Sequence, residues 1–245
     1  MAYLVDYYCL SDAGLRRSAN QDNFICAGQS DPCEPSRPSR KSCGTADTAS
    51  PAVFGVFDGM GGEERGEVAS YIAAAALAGH RFGILKKRAL KRCMKRANSE
   101  ICRYVMDHSL SSMGTTAAVL LFSGRRVHLC NIGDSRIYRF SEGALSQLSV
   151  DHVMPAGYGM KPSLLQYLGI PENEMLIAPH QLTLDCRSGD IYLICSDGLS
   201  DMVTEEAIRG VLADAPPDRA ADTLMRLALD SGGRDNVTVI VIRVR

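Results

Sequence analysis

The sequence lacks the features that mark several functional classes. No apolar run approaches the ~20 residues needed to cross a bilayer, so no membrane-spanning helix and no membrane partner are expected. The opening residues, Met1-Ala2-Tyr3-Leu4-Val5-Asp6, carry no basic region followed by a long apolar stretch, so no signal peptide is expected. No two of the nine cysteines (Cys9, Cys26, Cys33, Cys43, Cys93, Cys102, Cys130, Cys186 and Cys195) form a Cys-x-x-Cys pair. Their number is odd, and several sit in apolar runs such as Leu193-Ile194-Cys195. They read as reduced core thiols of a cytoplasmic protein rather than zinc ligands or disulfides. A net charge of −1 argues against a general polyanion binder, so no nucleic-acid partner is expected. There is no internal repeat and no linker. With 245 residues, 46% of them hydrophobic, the expectation is one domain over 1–245 that buries a sizeable core.

What is present is a string of short apolar runs, each ended by a turn. Runs at 3–10, 24–27, 53–57, 115–122, 127–132, 136–140, 144–148, 191–195 and 237–244 read as strands. The runs from 115 to 148 have the turn spacing of an antiparallel meander. Helices are expected from Gly66 to Ala78, from about 84 to 108, from Thr204 to about Ala213, and over about 218–230. Thr204 stands where a cap is wanted, with Glu205 and Glu206 in the first turn. Residues 28–51 are rich in Ser, Pro, Gly, Asp and Thr and read as a mobile surface loop; 151–181, broken by prolines and glycines, read as a flap. The 84–108 helix and its approach carry Arg81, Lys86, Lys87, Arg88, Lys91, Arg92, Lys95 and Arg96. A solvated face explains these cations; a docking surface for an acidic partner is the alternative.

One pattern recurs at the strand ends: an aspartate with glycine beside it or close by. It appears at Asp58-Gly59-Met60-Gly61-Gly62, Gly133-Asp134, Asp197-Gly198 and Gly232-Gly233-Arg234-Asp235, and Asp22 follows Asn20-Gln21. Taken singly, each is as well explained by a turn or a helix cap. If the strand ends converge, however, so many carboxylates repel strongly unless cations are present. Oxygen donors without neighbouring histidine or paired cysteine favour magnesium, manganese or calcium over zinc.

The segments 14–22, 57–62, 114–116, 131–136, 196–201 and 232–236 together resemble the metal-dependent serine/threonine protein phosphatases of the PPM class, the PP2C type, in compact bacterial form. The stretches occur in family order and run nearly end to end. The resemblance implies an α+β fold, a four-layer α-β-β-α sandwich of two antiparallel sheets flanked by helix pairs. It implies two Mn2+ or Mg2+ ions in a core site and a weaker third. Asp58 would bridge two ions, the Gly59 carbonyl would ligate one, and Asp197 and Asp235 would hold one directly. Asp22 would act through water, Asp134 and Asp201 would serve the third ion, and Arg17 would grip the substrate phosphate. The implied reaction is hydrolysis of phosphoserine or phosphothreonine on proteins by a metal-activated water, with no phospho-enzyme and no cysteine nucleophile. An opposing eukaryotic-type Ser/Thr kinase and a monomeric state are the expected context.

Two departures stand out. Gln21 occupies a position often held by glutamate, keeping an acceptor but losing a charge. Met60 stands where many eukaryotic members carry histidine, and methionine donates no proton. The alternatives are a catalytically weak regulatory or binding member, and a different phosphoester hydrolase on the same site.

Overall fold

A computed structural model describes residues 2–30, 39–60, 65–154 and 162–245. In chain order the first half comprises β1 (Leu4–Asp12), β2 (Asn23–Cys26), β3 (Gln29–Ser30), β4 (Ser39–Asp47), β5 (Ala52–Phe57) and β6 (Gly59–Met60). Then come α1 (Gly66–Ala78), α2 (Lys86–Asp107), β7 (Gly114–Thr115), β8 (Ala117–Ser123) and β9 (Arg126–Ile132). The second half comprises β10 (Arg136–Ser141), β11 (Ala144–Gln147), β12 (His180–Asp185) and β13 (Ile191–Cys195). It closes with α3 (Asp197–Ser200), α4 (Glu205–Asp214), α5 (Pro217–Asp230) and β14 (Val237–Val244).

Two six-stranded sheets result, ordered β11-β10-β13-β14-β1-β4 and β12-β9-β8-β5-β2-β3; β6 and β7 pair separately. All registered pairings are antiparallel. Strands buried on both faces read as continuous apolar runs, and the alternation of side chains sorts them into layers. In β8, Ala118, Leu120 and Phe122 face the other sheet, while Ala117, Val119 and Leu121 face α1 and α2. In β14, Ile240, Ile242 and Val244 point between the sheets, and Val237, Val239 and Val241 point to α4 and α5. Phe54, Phe122 and Tyr192 stack edge to face across the inter-sheet core, with ring centroids 5.8 and 5.4 Å apart. The order is helix pair, sheet, sheet, helices, as the resemblance implies.

Three expectations need correction. The 28–51 loop is not irregular where described: β3 lies inside it, and the nine residues of β4 pair along all of β1, from Leu4↔Asp47 to Asp12↔Ser39. Residues 31–38 of that loop lie outside the described residues. β4 is a polar edge strand, Ser-Arg-Lys-Ser-Cys-Gly-Thr-Ala-Asp, mostly exposed, so it lacks the apolar alternation that announces a strand. The 115–148 runs are not one meander either. β8 and β9 belong to one sheet and β10 and β11 to the other, because the chain crosses between sheets at Gly133, whose φ of 97° only glycine adopts readily. Finally, the end of the supposed flap is the strand β12, paired with β9 from His180↔Asn131 to Asp185↔Arg126. Of the rest of the flap, 155–161 lie outside the described residues, and Gly169 and Ile170 are tied to α2 by Asn98. Its Nδ2 donates to the Ile170 carbonyl at 2.9 Å, and its Oδ1 accepts from Gly169 N at 2.7 Å.

Thr204 caps α4 as expected, its hydroxyl accepting from Ala207 N at 3.3 Å. No helix among the described residues is long and apolar enough to cross a membrane.

Candidate active site

Antiparallel pairing brings the aspartate-bearing ends of four strands to one end of the sandwich. Asp58 follows β5 and Asp22 precedes β2; Asn23 pairs with Phe57, so these aspartates are side by side. In the other sheet, Asp197 opens α3 directly after β13, and Asp235 lies just before β14. Ser196 N donates to Thr238 O at 3.1 Å, which ties those two ends together. A cavity of about 540 Å³ opens there, lined by Arg17, Gln21, Asp58, Gly59, Met60, Thr116, Asp134, Asp197 and Asp235, among others. A smaller recess of about 100 Å³ adjoins it; Asp134 and Asp197 line both, and Asp201 lines the recess. All the aspartates singled out in the sequence are therefore gathered here, with Asp22 behind the cavity wall. Gly61 and Gly62 lie outside the described residues.

Backbone clamps hold Asp58. Thr115 Oγ1 and Thr116 N both donate to the Asp58 carbonyl at 2.9 Å, and Asp58 N donates to Thr116 Oγ1 at 3.1 Å. Thr116 Oγ1 also shares a 2.6 Å bond with Ser135 Oγ, next to Asp134. Gly59 must be glycine for space: a Cβ there would run into the carbonyl oxygens of Gly66 and Gln21.

Asp22 is 2% exposed. Its Oδ2 accepts from Ser196 Oγ at 2.8 Å and Thr238 Oγ1 at 2.6 Å; its Oδ1 has no hydrogen-bond partner among the described residues. Burial pushes its carboxyl up to about 7, against the pull of those two hydroxyls and with the help of the Asp197 and Asp235 charges. Burial likewise holds Asp58 well above the usual carboxylate range, reinforced by Asp197, Asp22, Asp134 and Asp235. Arg17 sits over the cluster with Nε 2.9 Å from Asp235 Oδ1 and Nη2 2.8 Å from Asp235 Oδ2, a two-bond fork.

The donors are all oxygens, Asp22 Oδ1 is buried and unmatched, and burial together with the neighbouring carboxylates raises the Asp22 and Asp58 carboxyls. This set fits hard divalent cations. Among the described residues no three acidic, histidine or cysteine side chains form a closed ligating group. The reason is visible in two of them: Asp235 is turned to Arg17, and Asp22 to hydroxyls.

Residues 37–226 match the family model described as protein phosphatase 2C. The chain belongs to the protein phosphatase 2C family. A serine/threonine phosphatase stp of Listeria monocytogenes is 30% identical, over 76% of this chain and 82% of its own length. The serine/threonine protein phosphatase PstP of Mycobacterium tuberculosis is 34% identical over 97% of this chain, which spans only 45% of PstP. A crystal structure of the PstP catalytic domain in complex with two manganese ions superposes with a TM-score of 0.78 at 32% identity, covering 100% of this chain and 99% of that one.

Within this fold two supporting residues were given no role by the sequence: Asn236, though it ends the 232–236 motif, and Arg40, which lies in no motif. Asn236 is 6% exposed and joins three segments: Oδ1 accepts from Gln21 N at 2.8 Å, and Nδ2 donates to the Ala13 and Ala19 carbonyls at 2.9 Å each. It fastens the loop bearing Arg17 and Asp22 onto the strand start bearing Asp235. Asn236→Ala strands those groups, and about 2–4 kcal/mol of stability should be lost, read by denaturant unfolding. Arg40, buried in the polar strand β4, donates to the Asp22 carbonyl from behind. Its sequence neighbours look like a loop, so nothing there announces the role. No histidine and no cysteine lines the cavity among the described residues.

Proposed function

We propose that the chain is a metal-dependent protein serine/threonine phosphatase, hydrolysing phosphoserine and phosphothreonine monoesters on proteins. The observation that carries this is the gathering of Asp58, Asp197 and Asp235, with Asp22 behind them, under Arg17 in a protein phosphatase 2C fold. We further propose that Asp58, the Gly59 carbonyl, Asp197 and Asp235 hold two ions, Mn2+ or Mg2+, with Asp22 supporting from behind. Asp134 and Asp201, with Asp197, would hold a weaker third. When bound, such cations supply Lewis acidity at the phosphate and an activated water.

The four core aspartates carry four negative charges when ionised, and two divalent cations balance them. A phosphate dianion can then approach. Arg17 orients it: the fork that grips the two Asp235 oxygens has the spacing to grip two phosphate oxygens. With Met60 at the turn and no histidine lining the cavity among the described residues, the leaving oxygen draws its proton from water. The defining experiment is release of phosphate from a phosphothreonine peptide with manganese and its loss on chelation; absence of turnover under those conditions would refute the reading. Arg17→Ala should raise KM about 10–100-fold with a smaller change in kcat; an unchanged KM counts against its phosphate role.

The raised Asp22 carboxyl makes a further prediction for the metal-free protein. Its folded pKa of about 7 lies above the ordinary 3.8, so the folded state binds the extra proton more tightly. Stability is then fully present below about pH 4 and lost as pH rises through about 7, by a few kcal/mol at most. A saturating divalent cation should flatten that slope. Melting temperatures between pH 5 and 8, with and without manganese, test both signs.

The proposed partners are phosphorylated proteins, among them those of a eukaryotic-type Ser/Thr kinase, with one domain over 1–245 acting as a monomer. Cys26, Cys43, Cys93, Cys102, Cys130, Cys186 and Cys195 are free thiols, which fits the proposed location in a reducing compartment such as the cytoplasm.

A further inference from the structure

The phosphatase chemistry leaves one prominent surface unused. Residues 81–96 carry eight lysines and arginines and no acid, in a chain of net charge −1. On α2, Arg88, Lys91, Arg92 and Lys95 fall at i, i+3, i+4 and i+7, a single face, and all four are exposed. They make no ion pair among the described residues, whereas Arg96 nearby pairs with Glu100 at 2.7 Å. The opposite face, with Ala89, Leu90, Cys93, Met94 and Ala97, is buried against the core, so the helix is fixed with its cations outward.

The positive field spreads beyond the helix. Burial, Lys86, Arg126 and Lys87 together hold His128 on β9 below its ordinary value. Asp185 on the neighbouring β12 is engaged by Arg126 at 3.7 Å. Apolar side chains share the face. Leu85, 59% exposed, lines one shallow concavity of about 370 Å³ with Arg88, Lys91, Arg92 and Lys95, and Ile84 beside it is 95% exposed.

We propose that this surface seats the protein on an anionic lipid bilayer, with Ile84 and Leu85 entering the interface and the α2 cations resting on the head groups. An acidic peptide would satisfy the charges but leave Ile84 and Leu85 in water. An anionic membrane surface takes both at once. The placement suits the enzyme. The C-terminal end of α2 leads to the cavity, since Ser112, Met113 and Gly114 line it soon after Asp107, and the cationic face from Arg88 to Lys95 lies about 20–30 Å back along the helix. A protein seated this way keeps its cavity open. This is peripheral adsorption, distinct from a membrane-spanning helix, and it revises the expectation of no membrane partner.

The test is flotation of the full chain with vesicles of phosphatidylcholine alone or with about 30 mol% phosphatidylglycerol. Binding is expected only to the anionic vesicles, weakening at least about tenfold between about 50 and 300 mM salt. The triple variant K91E/R92E/K95E should lose about a hundredfold in partition. Ile84→Ser, which keeps every charge, should lose about tenfold. Both should keep the wild-type melting temperature and hydrolysis of a soluble phosphopeptide. Equal binding to both vesicle types, or unaltered binding by the triple variant, overturns the proposal. So does capture of a poly-glutamate peptide with no binding to either vesicle, which would make the surface a docking site for acidic proteins.

Discussion

Asp58→Asn is expected to reduce phosphopeptide turnover by about a thousandfold or more, and at the same time to raise the melting temperature of the metal-free protein. The first effect follows from its place at the tip of β5, on the cavity wall, where it faces Asp197, Asp22, Asp134 and Asp235. Losing a carboxylate that would hold the proposed cations removes several kcal/mol of charge stabilisation around the reacting phosphate. The second follows from the same geometry with the opposite sign. Burial and four neighbouring carboxylates disfavour the Asp58 charge, so a neutral amide of equal size relieves repulsion. Its backbone clamps to Thr115 and Thr116 do not depend on the side chain. The rise in melting temperature that manganese gives the wild type should shrink in the variant. Calorimetry and a phosphate-release assay on the same samples decide it. An active variant would sink the metal assignment, and an inactive but destabilised one would show that misfolding, not lost ligation, is responsible.

Gly198→Ala should cost about 3 kcal/mol of stability and about a hundredfold in kcat. Gly198 has no left-handed backbone requirement, and nothing in its Asp-Gly dipeptide distinguishes it from an ordinary turn. Its role is contact. A Cβ there would run into the Asn236 carbonyl oxygen and lie 2.9 Å from the carbonyl carbon, both backbone atoms that cannot rotate away. The added methyl must push α3 off the start of β14 and separate Asp197 from Asp235. Overpacking of this kind typically costs 1–3 kcal/mol, and a displacement of ~1 Å at reacting groups costs about a hundredfold. Gly210, in the exposed-to-intermediate face of α4 with nothing within 4 Å of its would-be Cβ, is the control. Gly210→Ala should be neutral or stabilising by up to about 1 kcal/mol. Chemical denaturation and steady-state kinetics of the two variants separate a steric effect at Asn236 from a general intolerance of alanine.

How much of this was legible beforehand differs from feature to feature. The buried strands were plain because a strand covered on both faces is apolar throughout, as in 191–195 and 237–244. Helix α2 was visible from its spacing, and the cap at Thr204 from its residue type. In α1 the helix was legible but its inner face was not. Ala69, Ala73, Ala76 and Leu77 are buried while Val68 and Ile72 are only partly so, because small residues let the helix approach the sheet and leave the larger ones at the margin. β4 was hidden because an edge strand needs only backbone pairing, which leaves no trace in side-chain periodicity. Arg40 was hidden with it.

The sequence by itself determined the inventory: which runs are buried, where the chain turns, and that an aspartate stands at each of several strand ends beside a glycine. These follow from local chemistry, since burial selects apolar side chains and turns select glycine and aspartate. It also carried the order of motifs through which the family could be named. Only the tertiary structure decided that the chain changes sheets at Gly133, that β4 closes the edge beside β1, and that Asn236 latches two distant loops together. Only there does Arg17 meet Asp235, 218 residues away, and Gly198 meet the Asn236 backbone. Those facts depend on strand register and on close approach of backbone atoms, and residue type constrains neither until the two sheets are packed.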